Sequence, residues 1–109
     1  MTNYDLGDIV LLKGFPQTDL KKVIKRPALV LTDLGDQDII VARITGEIYD
    51  TPYDYVISNW QEMGLLLPSM VRVGKIATLH RNFIIRKLGK IGEKDVQEIK
   101  ARLRKAFRL

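Results

Sequence analysis

Two β-type runs on either side of a short acidic turn constrain the fold of this chain more than any other feature. RPALVLTD (26–33) is aliphatic after Pro27, which a strand tolerates at its start because a missing N–H costs least there. DLGDQ (33–37) holds a glycine among acidic residues, as tight turns do. DIIVARITG (38–46) alternates between two faces. One face carries Ile40, Ala42 and Ile44, and the other carries Ile39, Val41, Arg43 and Thr45. The two runs therefore predict an antiparallel hairpin.

Further short segments flank this hairpin. Strand patterning recurs in DIVLLKG (8–14), YDYVIS (53–58) and MVRVGKIATLH (70–80). Gly74, inside the last of these, predicts a bulge or a close backbone approach. Three other segments are read from their residue types: a polar connecting loop over residues 15–25, a short helical turn over 59–63 capped by Ser58, and a short helix or a strand over 83–91.

The clearest single pattern is a helix over EKDVQEIKARLRKAF (93–107). Acidic residues precede basic ones along it, as the helix dipole favours, and its apolar residues recur at helical spacing. These apolar residues are Val96, Ile99, Leu103 and Phe107. Several short strands and one terminal amphipathic helix predict a mainly β fold, a compact barrel or half-barrel with the helix packed against it. A length of 109 residues fits one domain over residues 1–109.

Composition excludes several classes of site. The chain has no cysteine, which excludes disulfides, a thiolate nucleophile and a cysteine-ligated metal. Its one histidine, His80, excludes a paired-histidine nuclease site and a histidine-rich zinc site. No GxxxxGK[ST] or GxGxxG phosphate motif is present. The N-terminus lacks the layout of a secretion signal, and no apolar run approaches the roughly 18 residues that span a bilayer. We expect a soluble, cytoplasmic protein that needs no cofactor and does not bind membranes.

The net charge of +5 is divided unevenly along the chain. Residues 1–71 carry 6 basic and 10 acidic side chains, a net charge of −4, whereas residues 72–109 carry 12 basic and 3 acidic ones, a net charge of +9. Clustered lysines and arginines favour a polyanionic partner, because they release counterions when they meet phosphates. A solvated basic helix that only keeps the protein soluble explains the charge as well. Charge alone leaves both interpretations open.

Arginines and hydroxyls remain as the candidate chemistry. The set is Arg26, Arg43, Thr45, Ser69, Arg72 and Thr78. A guanidinium can clamp a phosphate through two parallel N–H bonds and stabilise the extra charge of a pentacoordinate phosphorus, while a neighbouring hydroxyl orients the phosphate. Such a pair suits RNA cleavage by the substrate's own 2′-hydroxyl, which requires no metal and no protein nucleophile. Tyrosines at positions 49, 53 and 55 fit base stacking or the core, and Trp60 fits the core.

An ordered set of segments carries a resemblance to a known family. These segments are GDIV (7–10), RPALVL (26–31), IIVARITG (39–46), LPSMVRVGKIATLHRNFI (67–84) and LGKI (88–91), followed by the amphipathic helix. From about residue 6 to 107, the chain resembles the MazF/PemK family of toxin endoribonucleases. The resemblance implies an SH3-like (PemK/CcdB-type) barrel that forms a homodimer, cleaves single-stranded messenger RNA at a short motif without a metal, and is neutralised by a cognate antitoxin.

The resemblance also assigns roles to residues. The family's catalytic pair, the arginine of the RP motif and a threonine at the end of the third strand, corresponds to Arg26 and Thr45. Arg43, Arg72 and His80 are expected to contact RNA, and Arg72 to add charge to the groove. Lys21, Lys22 and Lys25 are expected to follow the RNA backbone. The structural alternative for the arginine of the RP motif is a surface salt bridge to Asp33 or Asp19.

Two departures from the family pattern leave other functions open. Some members carry an acid, proposed as the general base, two residues after the arginine that matches Arg72; here that position is Gly74. Asp19 and His80 are the alternative bases. In addition, the loop before Arg26 reads TDLKKVIK instead of a Gly/Ser-Glu-Gln-type stretch. A toxin that poisons gyrase on the same fold, or an RNA-binding domain that has lost cleavage, is therefore also considered.

Overall fold

The predicted hairpin lies at the centre of a six-stranded antiparallel sheet. A computed structural model describes residues 3–14 and 25–109. Its strands are β1 (Asp8–Leu12), β2 (Arg26–Asp33), β3 (Asp38–Thr45), β4 (Asp54–Val56), β5 (Met70–His80) and β6 (Ile84–Lys90), and its helix is α1 (Glu93–Phe107). The strands lie in the order β4-β5-β3-β2-β1-β6. The predicted mainly β fold with a C-terminal helix is confirmed, whereas the predicted loop over 15–25 lies almost wholly outside the described residues.

Two segments differ from their predictions and one ambiguity is resolved. The segment 83–91 is a strand, because it pairs with β1 along most of its length. The predicted strand over 53–58 is shorter, since only β4 pairs with β5. The helical turn is present as a 3₁₀ turn over Trp60–Met63, but Ser58 does not cap it. Asn59 precedes the turn without a side-chain cap, and Ser58 shares a hydrogen bond with Tyr55.

Both faces of the hairpin are buried. The predicted alternation is confirmed: Ala42 and Ile44 belong to one apolar core, and Ile39 and Val41 belong to a second core on the opposite face. The sheet can bury both faces because bulges bend it. The largest lies in β5, where Arg72 faces Arg43 but the next pair is Ile76 with Ala42, so residues 73–75 have no partner in β3. The bulge predicted at Gly74 is confirmed. The alternative of a close approach is not, because a Cβ there would have no neighbour within 4 Å.

The two edge strands, β4 and β6, do not pair, so the barrel is open in its hydrogen bonding. The 3₁₀ turn Trp60–Met63 packs beside the edge strand β6. This contact is tight: a Cβ on Gly89 would lie 3.0 Å from Met63 Cα, and a Cβ on Gly64 would lie 3.1 Å from the Leu88 carbonyl oxygen. Glycine at these positions lets the turn approach the edge strand. The sheet is therefore barrel-like although it is not a closed ladder.

Helix α1 packs on the first core through Val96 and Ile99. Polar contacts fix it to β4: the Tyr55 hydroxyl donates to the buried Asp95 carboxylate, and Arg102 Nε donates to the Asp54 carbonyl oxygen at 3.1 Å. Phe107, which was predicted to continue the apolar stripe, is 58% exposed and does not belong to the core.

In the parts of the chain that the structure describes, no helix has both the length and the apolar character needed to cross a membrane.

Candidate nucleic-acid interface

Strand register brings Arg26 and Thr45 together. Ala28 on β2 faces Arg43 on β3, and the same register continued by two residues places Arg26 opposite Thr45. Directly opposed residues of an antiparallel pair have Cβ atoms about 4.5–5.5 Å apart. Both residues also line one cavity. The first residue of β2 and the last residue of β3 therefore meet at one end of the hairpin.

The same register adds two more arginines to this surface. Arg43 faces Arg72 on β5, and Thr45 faces Met70. Because directly opposed residues, and residues two apart on one strand, share a face of a sheet, Arg26, Arg43, Thr45 and Arg72 lie on one face. We call these four residues the arginine face. It gathers three cations that are up to 46 residues apart in sequence.

Arg26 and Arg43 have no acidic partner among the described residues, whereas several other arginines do. The Nε atoms of both are buried and have no hydrogen-bond partner among residues 3–14 and 25–109. Asp33, one of the predicted alternative partners of Arg26, instead accepts from Arg81 Nη2 at 2.8 Å and from the backbone N–H groups of Tyr4 and Gly35. The predicted salt bridge to Asp33 is therefore wrong, and Asp19 lies outside the described residues.

Arg72 is held in place by its neighbours. Its Nε lies 3.3 Å from Asp54 Oδ1, and its guanidinium stacks over the Tyr49 ring at 3.6 Å from the ring centre. A hydrogen bond from the Tyr49 hydroxyl to Glu47 raises the pKa of this tyrosine, with burial adding to the effect and the charges of Arg72 and Arg43 opposing it. Tyr49 thus serves as a platform for an arginine of the interface.

No residue in the described ranges accepts the hydroxyl proton of Thr45. Its Oγ1 accepts a hydrogen bond from the backbone N–H of Glu47 at 3.2 Å. A threonine hydroxyl has one donor in addition to its acceptor lone pairs, so the O–H can still be donated to a ligand oxygen. Thr45 is 9% exposed and is therefore largely buried.

The cavity beside this pair has a volume of about 330 Å³ and lies where β2 begins and β3 ends. Its polar side chains are Lys25, Arg26, Thr45, Ser69 and Arg86. Sequence reasoning did not identify Arg86. Because the segment 83–91 fitted a helix or a strand, the face of each of its residues could not be assigned. Arg86 pairs with Leu11, which also lines the cavity, and this pairing determines the face on which Arg86 lies.

Other predicted residues are not brought to this site. His80 faces Asp38 at the opposite end of β3, seven residues from Thr45. At about 3.3 Å per residue, the separation is roughly 23 Å. His80 Nδ1 accepts from the backbone N–H of Asn82 at 3.1 Å. Thr78, which faces Ile40, is also distant from the site. Lys21 and Lys22 lie outside the described residues.

The aromatic residues divide between core and surface. Trp60 and Tyr55 pack on the first core, as predicted for Trp60. Tyr53 is 38% exposed and remains available to a ligand. Within the described parts of the chain, no three acidic or histidine side chains lie close enough to hold a metal ion.

Comparison with known proteins identifies the family. The sequence profile for the PemK-like, MazF-like toxin of type II toxin-antitoxin systems matches residues 5–107. No curated protein sequence matches the chain. Among solved structures, MazF from Deinococcus radiodurans is 18% identical with a TM-score of 0.79, and the match covers 100% of both chains.

Two further solved structures have the same fold. The Mycobacterium tuberculosis toxin MazF-mt6 is 22% identical with a TM-score of 0.77, covering 94% of this chain and 97% of that one. An endoribonuclease from a mycobacterial species, in complex with its cognate antitoxin, is 18% identical with a TM-score of 0.78, covering 97% of this chain and 96% of that one. At such identities these likenesses show a shared fold. Because the family profile matches nearly the whole chain, the protein belongs to the PemK-like, MazF-like toxins of type II toxin-antitoxin systems.

Proposed function

We propose that this toxin is a metal-independent endoribonuclease that cleaves single-stranded RNA at a short motif. The observation that carries the proposal is the pairing of Arg26 with Thr45. A guanidinium whose buried Nε has no partner among the described residues lines the same cavity as a hydroxyl whose proton no described residue accepts. Together they present converging donors of the kind that stabilise charge developing on a phosphate oxygen. Solved proteins of the same fold are named endoribonucleases, which agrees with this assignment.

The chemistry that this arrangement supports is an internal transfer at phosphorus. The substrate's 2′-oxygen loses its proton and attacks the adjacent phosphorus, and the bond from phosphorus to the 5′-oxygen breaks. The 5′-oxygen leaves with a proton, so the products are a 2′,3′-cyclic phosphate and a 5′-hydroxyl. Arg26 stabilises the pentacoordinate phosphorus, and Thr45 orients a non-bridging oxygen.

The remaining cations would bind the phosphates on either side of the cut. Arg43 and Arg72 lie on the same face as the catalytic pair, and Lys25 lines the cavity next to it. Arg72 is already positioned by Asp54 and Tyr49, so RNA binding requires little ordering of its side chain. From the sequence alone, we also propose that Lys21 and Lys22 bind the RNA backbone.

The general base does not come from the described lining of the cavity, which contains no carboxylate and no imidazole. His80 is excluded as the base by its position at the far end of β3. Asp19 stays a candidate from the sequence. A site without a positioned base loses the roughly 10²–10⁴-fold that general base catalysis contributes, so we expect slow cleavage.

We further propose that a cognate antitoxin covers the arginine face with an acidic segment. A mycobacterial protein of this fold was solved with its cognate antitoxin, and unpaired arginines attract carboxylates as they attract phosphates. We propose that the toxin acts in the cytoplasm as a homodimer. Large apolar side chains are exposed at the surface, including Leu34, Phe83 and Ile85, and a dimer contact could bury them.

The test is incubation of the purified protein with a long single-stranded RNA in EDTA, followed by mapping of new ends. The wild type should produce discrete cuts and Arg26→Ala should produce none. Arg104→Ala, which removes an exposed arginine of α1, is the matched control and should cut like the wild type. Cuts by Arg26→Ala at the wild-type rate would show that the assignment is wrong.

A second candidate function is RNA binding without cleavage. Gly74 favours it, because the family's proposed base is absent from that position, and no other base lines the described cavity. In that case the wild type retains RNA in a salt-sensitive manner and yields no new ends.

A further inference from the structure

The cavity beside Arg26 and Thr45 has largely apolar walls, which phosphate binding does not require. Its apolar lining is formed by Leu11, Pro27, Ile44, Leu65, Leu66, Leu67 and Leu88. A phosphate in contact with such walls would lose hydration without compensation. A flat apolar ring with polar edges fits them better, because ligand pockets typically combine apolar walls with a few placed polar groups. The volume of about 330 Å³ exceeds what a phosphate group would fill.

The leucine wall of this cavity has a fixed position. Leu67 packs directly over Gly46, so closely that a Cβ on that glycine would lie 2.2 Å from Leu67 Cδ1. Leu65 is buried in the first core, while Leu66 is 94% exposed at the cavity. Exposure of the large apolar Leu66 side chain to water is unfavourable in the free protein. A flat base that packs against this side chain would remove its apolar surface from water.

Two polar side chains of this cavity are not used by the proposed cleavage chemistry. The Arg86 side chain has no hydrogen bond or ion pair with any residue in 3–14 or 25–109, whereas its neighbour Lys87 pairs with Asp8 at 3.0 Å. Ser69 is buried, and its hydroxyl donates to the Leu67 carbonyl oxygen at 2.8 Å. The Ser69 oxygen is therefore left as an acceptor, and Arg86 supplies a fork of donors.

We propose that this cavity binds the base of a nucleotide next to the cleaved bond, that it prefers guanine, and that Arg86 reads that base. The inference rests on the proposed function, since Arg26 and Thr45 would hold the phosphate to which the nucleotide is attached. Arginine forms two parallel hydrogen bonds to O6 and N7 of guanine, an edge that presents two acceptors, whereas adenine presents a donor and an acceptor there. The Ser69 oxygen can accept from the donors on the opposite edge of guanine.

The test measures binding, so that it does not depend on cleavage. Four heptamers carry uracil at the six flanking positions and differ only at the central base, which is A, C, G or U. All seven sugars are 2′-deoxyribose, so the attacking hydroxyl is absent. Fluorescence anisotropy gives the affinity of the wild type, Arg86→Lys, Arg86→Ala and the control Arg104→Ala for each heptamer. The wild type and the control should bind the guanine heptamer about tenfold to a hundredfold more tightly than the others.

The two Arg86 variants separate base reading from charge. Arg86→Lys keeps the charge and loses the fork, so its preference for guanine should disappear while its salt dependence stays the same. Equal binding of all four heptamers by the wild type would overturn the proposal. Uniform weakening by Arg86→Ala with a shallower salt slope would also overturn it, because that is the behaviour of a phosphate contact. Guanine preference in a wild type that cuts no RNA would reject the proposed function and leave the base pocket standing.

Discussion

At the scale of single residues, Arg26 is distinguished by its surroundings. Arg72, Arg81 and Arg102 each have an acidic partner within 3.3 Å. Arg26 has none among the described residues, although its Nε is buried. Burying a donor without a partner destabilises the folded protein, typically by about 1–3 kcal/mol. An arrangement that destabilises the free protein is expected where a ligand supplies the missing acceptor.

Replacing Arg26 with lysine should separate charge from geometry. Arg26→Lys keeps the positive charge but loses the planar fork that matches two phosphate oxygens. We expect the cleavage rate to fall by about 10²–10³-fold, as for loss of a donor to a developing oxyanion. Cleavage under single-turnover conditions measures the rate, and thermal unfolding checks that the fold is unchanged. A variant that cleaves at the wild-type rate would show that the fork is not used.

Asp33 should control part of the acid stability of the fold. Hydrogen bonds from the backbone N–H of Tyr4, then from that of Gly35, hold the pKa of Asp33 below its usual value, with Arg81 adding to the effect. A lowered folded-state pKa stabilises the fold above the unfolded pKa of about 4 and loses this contribution as the pH falls through the folded value. Asp33→Asn should therefore unfold at lower urea concentration than the wild type at pH 7.

The acid dependence of that difference is the sharper part of the prediction. As the pH falls from about 4 toward the lowered folded-state pKa, Asp33 is protonated first in the unfolded chain, and the advantage of the wild type over asparagine shrinks. Urea unfolding midpoints measured at pH 7, 5 and 3 should differ less at pH 3 than at pH 7. Equal midpoints at pH 7 would mean that the Asp33 hydrogen bonds contribute nothing to stability.

At the scale of elements, the 3₁₀ turn Trp60–Met63 packs tightly against β6, an edge strand that forms no hydrogen bonds with the other edge strand, β4. Gly89→Ala places a methyl group 3.0 Å from Met63 Cα, a backbone atom that cannot move by itself. Overpacking of this kind costs about 1–3 kcal/mol. Urea unfolding measures the loss. Gly74→Ala is the matched control, since its added Cβ meets nothing within 4 Å; a loss as large in the control would remove the packing explanation.

The bulge of β5 gives a way to supply the missing base. Gly74 is exposed, its backbone is outside the left-handed region, and a side chain there has room. Gly74→Glu should raise the cleavage rate about tenfold or more, the lower part of the range for a positioned general base. Gly74→Gln has the same size without the charge and should leave the rate unchanged. Equal rates for both variants would show that the position is not beside the reacting 2′-hydroxyl.

The sequence predicted the elements well and their mutual placement incompletely. Alternation within residues 38–45 correctly separated Ala42 and Ile44 from Ile39 and Val41. His80 was grouped with the site because the sequence does not show how β5 pairs with β3. The C-terminal end of β5, where His80 lies, pairs with the end of β3 that is far from Thr45. Arg86 was missed for a related reason, since its face depends on pairing with β1. Register between distant strands is set by long-range packing, which local patterns do not contain.

At the scale of the whole molecule, the division of charge along the chain does not correspond to the site. Arg26 and Arg43 come from residues 1–71, whose net charge is −4, and Arg72 comes from the basic remainder. The sheet order β5-β3-β2 places arginines from both halves on one face. Two acids of the first half pair with cations away from this face, Asp33 with Arg81 and Asp8 with Lys87, while Asp54 pairs with Arg72. The local charge therefore results from the fold, and the total charge of either half does not predict it.

The most direct test of the central claim, attack by the substrate's own 2′-hydroxyl at Arg26 and Thr45, uses one RNA in two forms. One form is all ribose, and the other carries a single 2′-deoxyribose on the 5′ side of a mapped cut. In EDTA, the ribose form should yield a 2′,3′-cyclic phosphate and a 5′-hydroxyl by mass spectrometry. The deoxy form should bind and remain intact at that position. Cleavage at the deoxy position, or products that end in a 5′-phosphate, would contradict the mechanism.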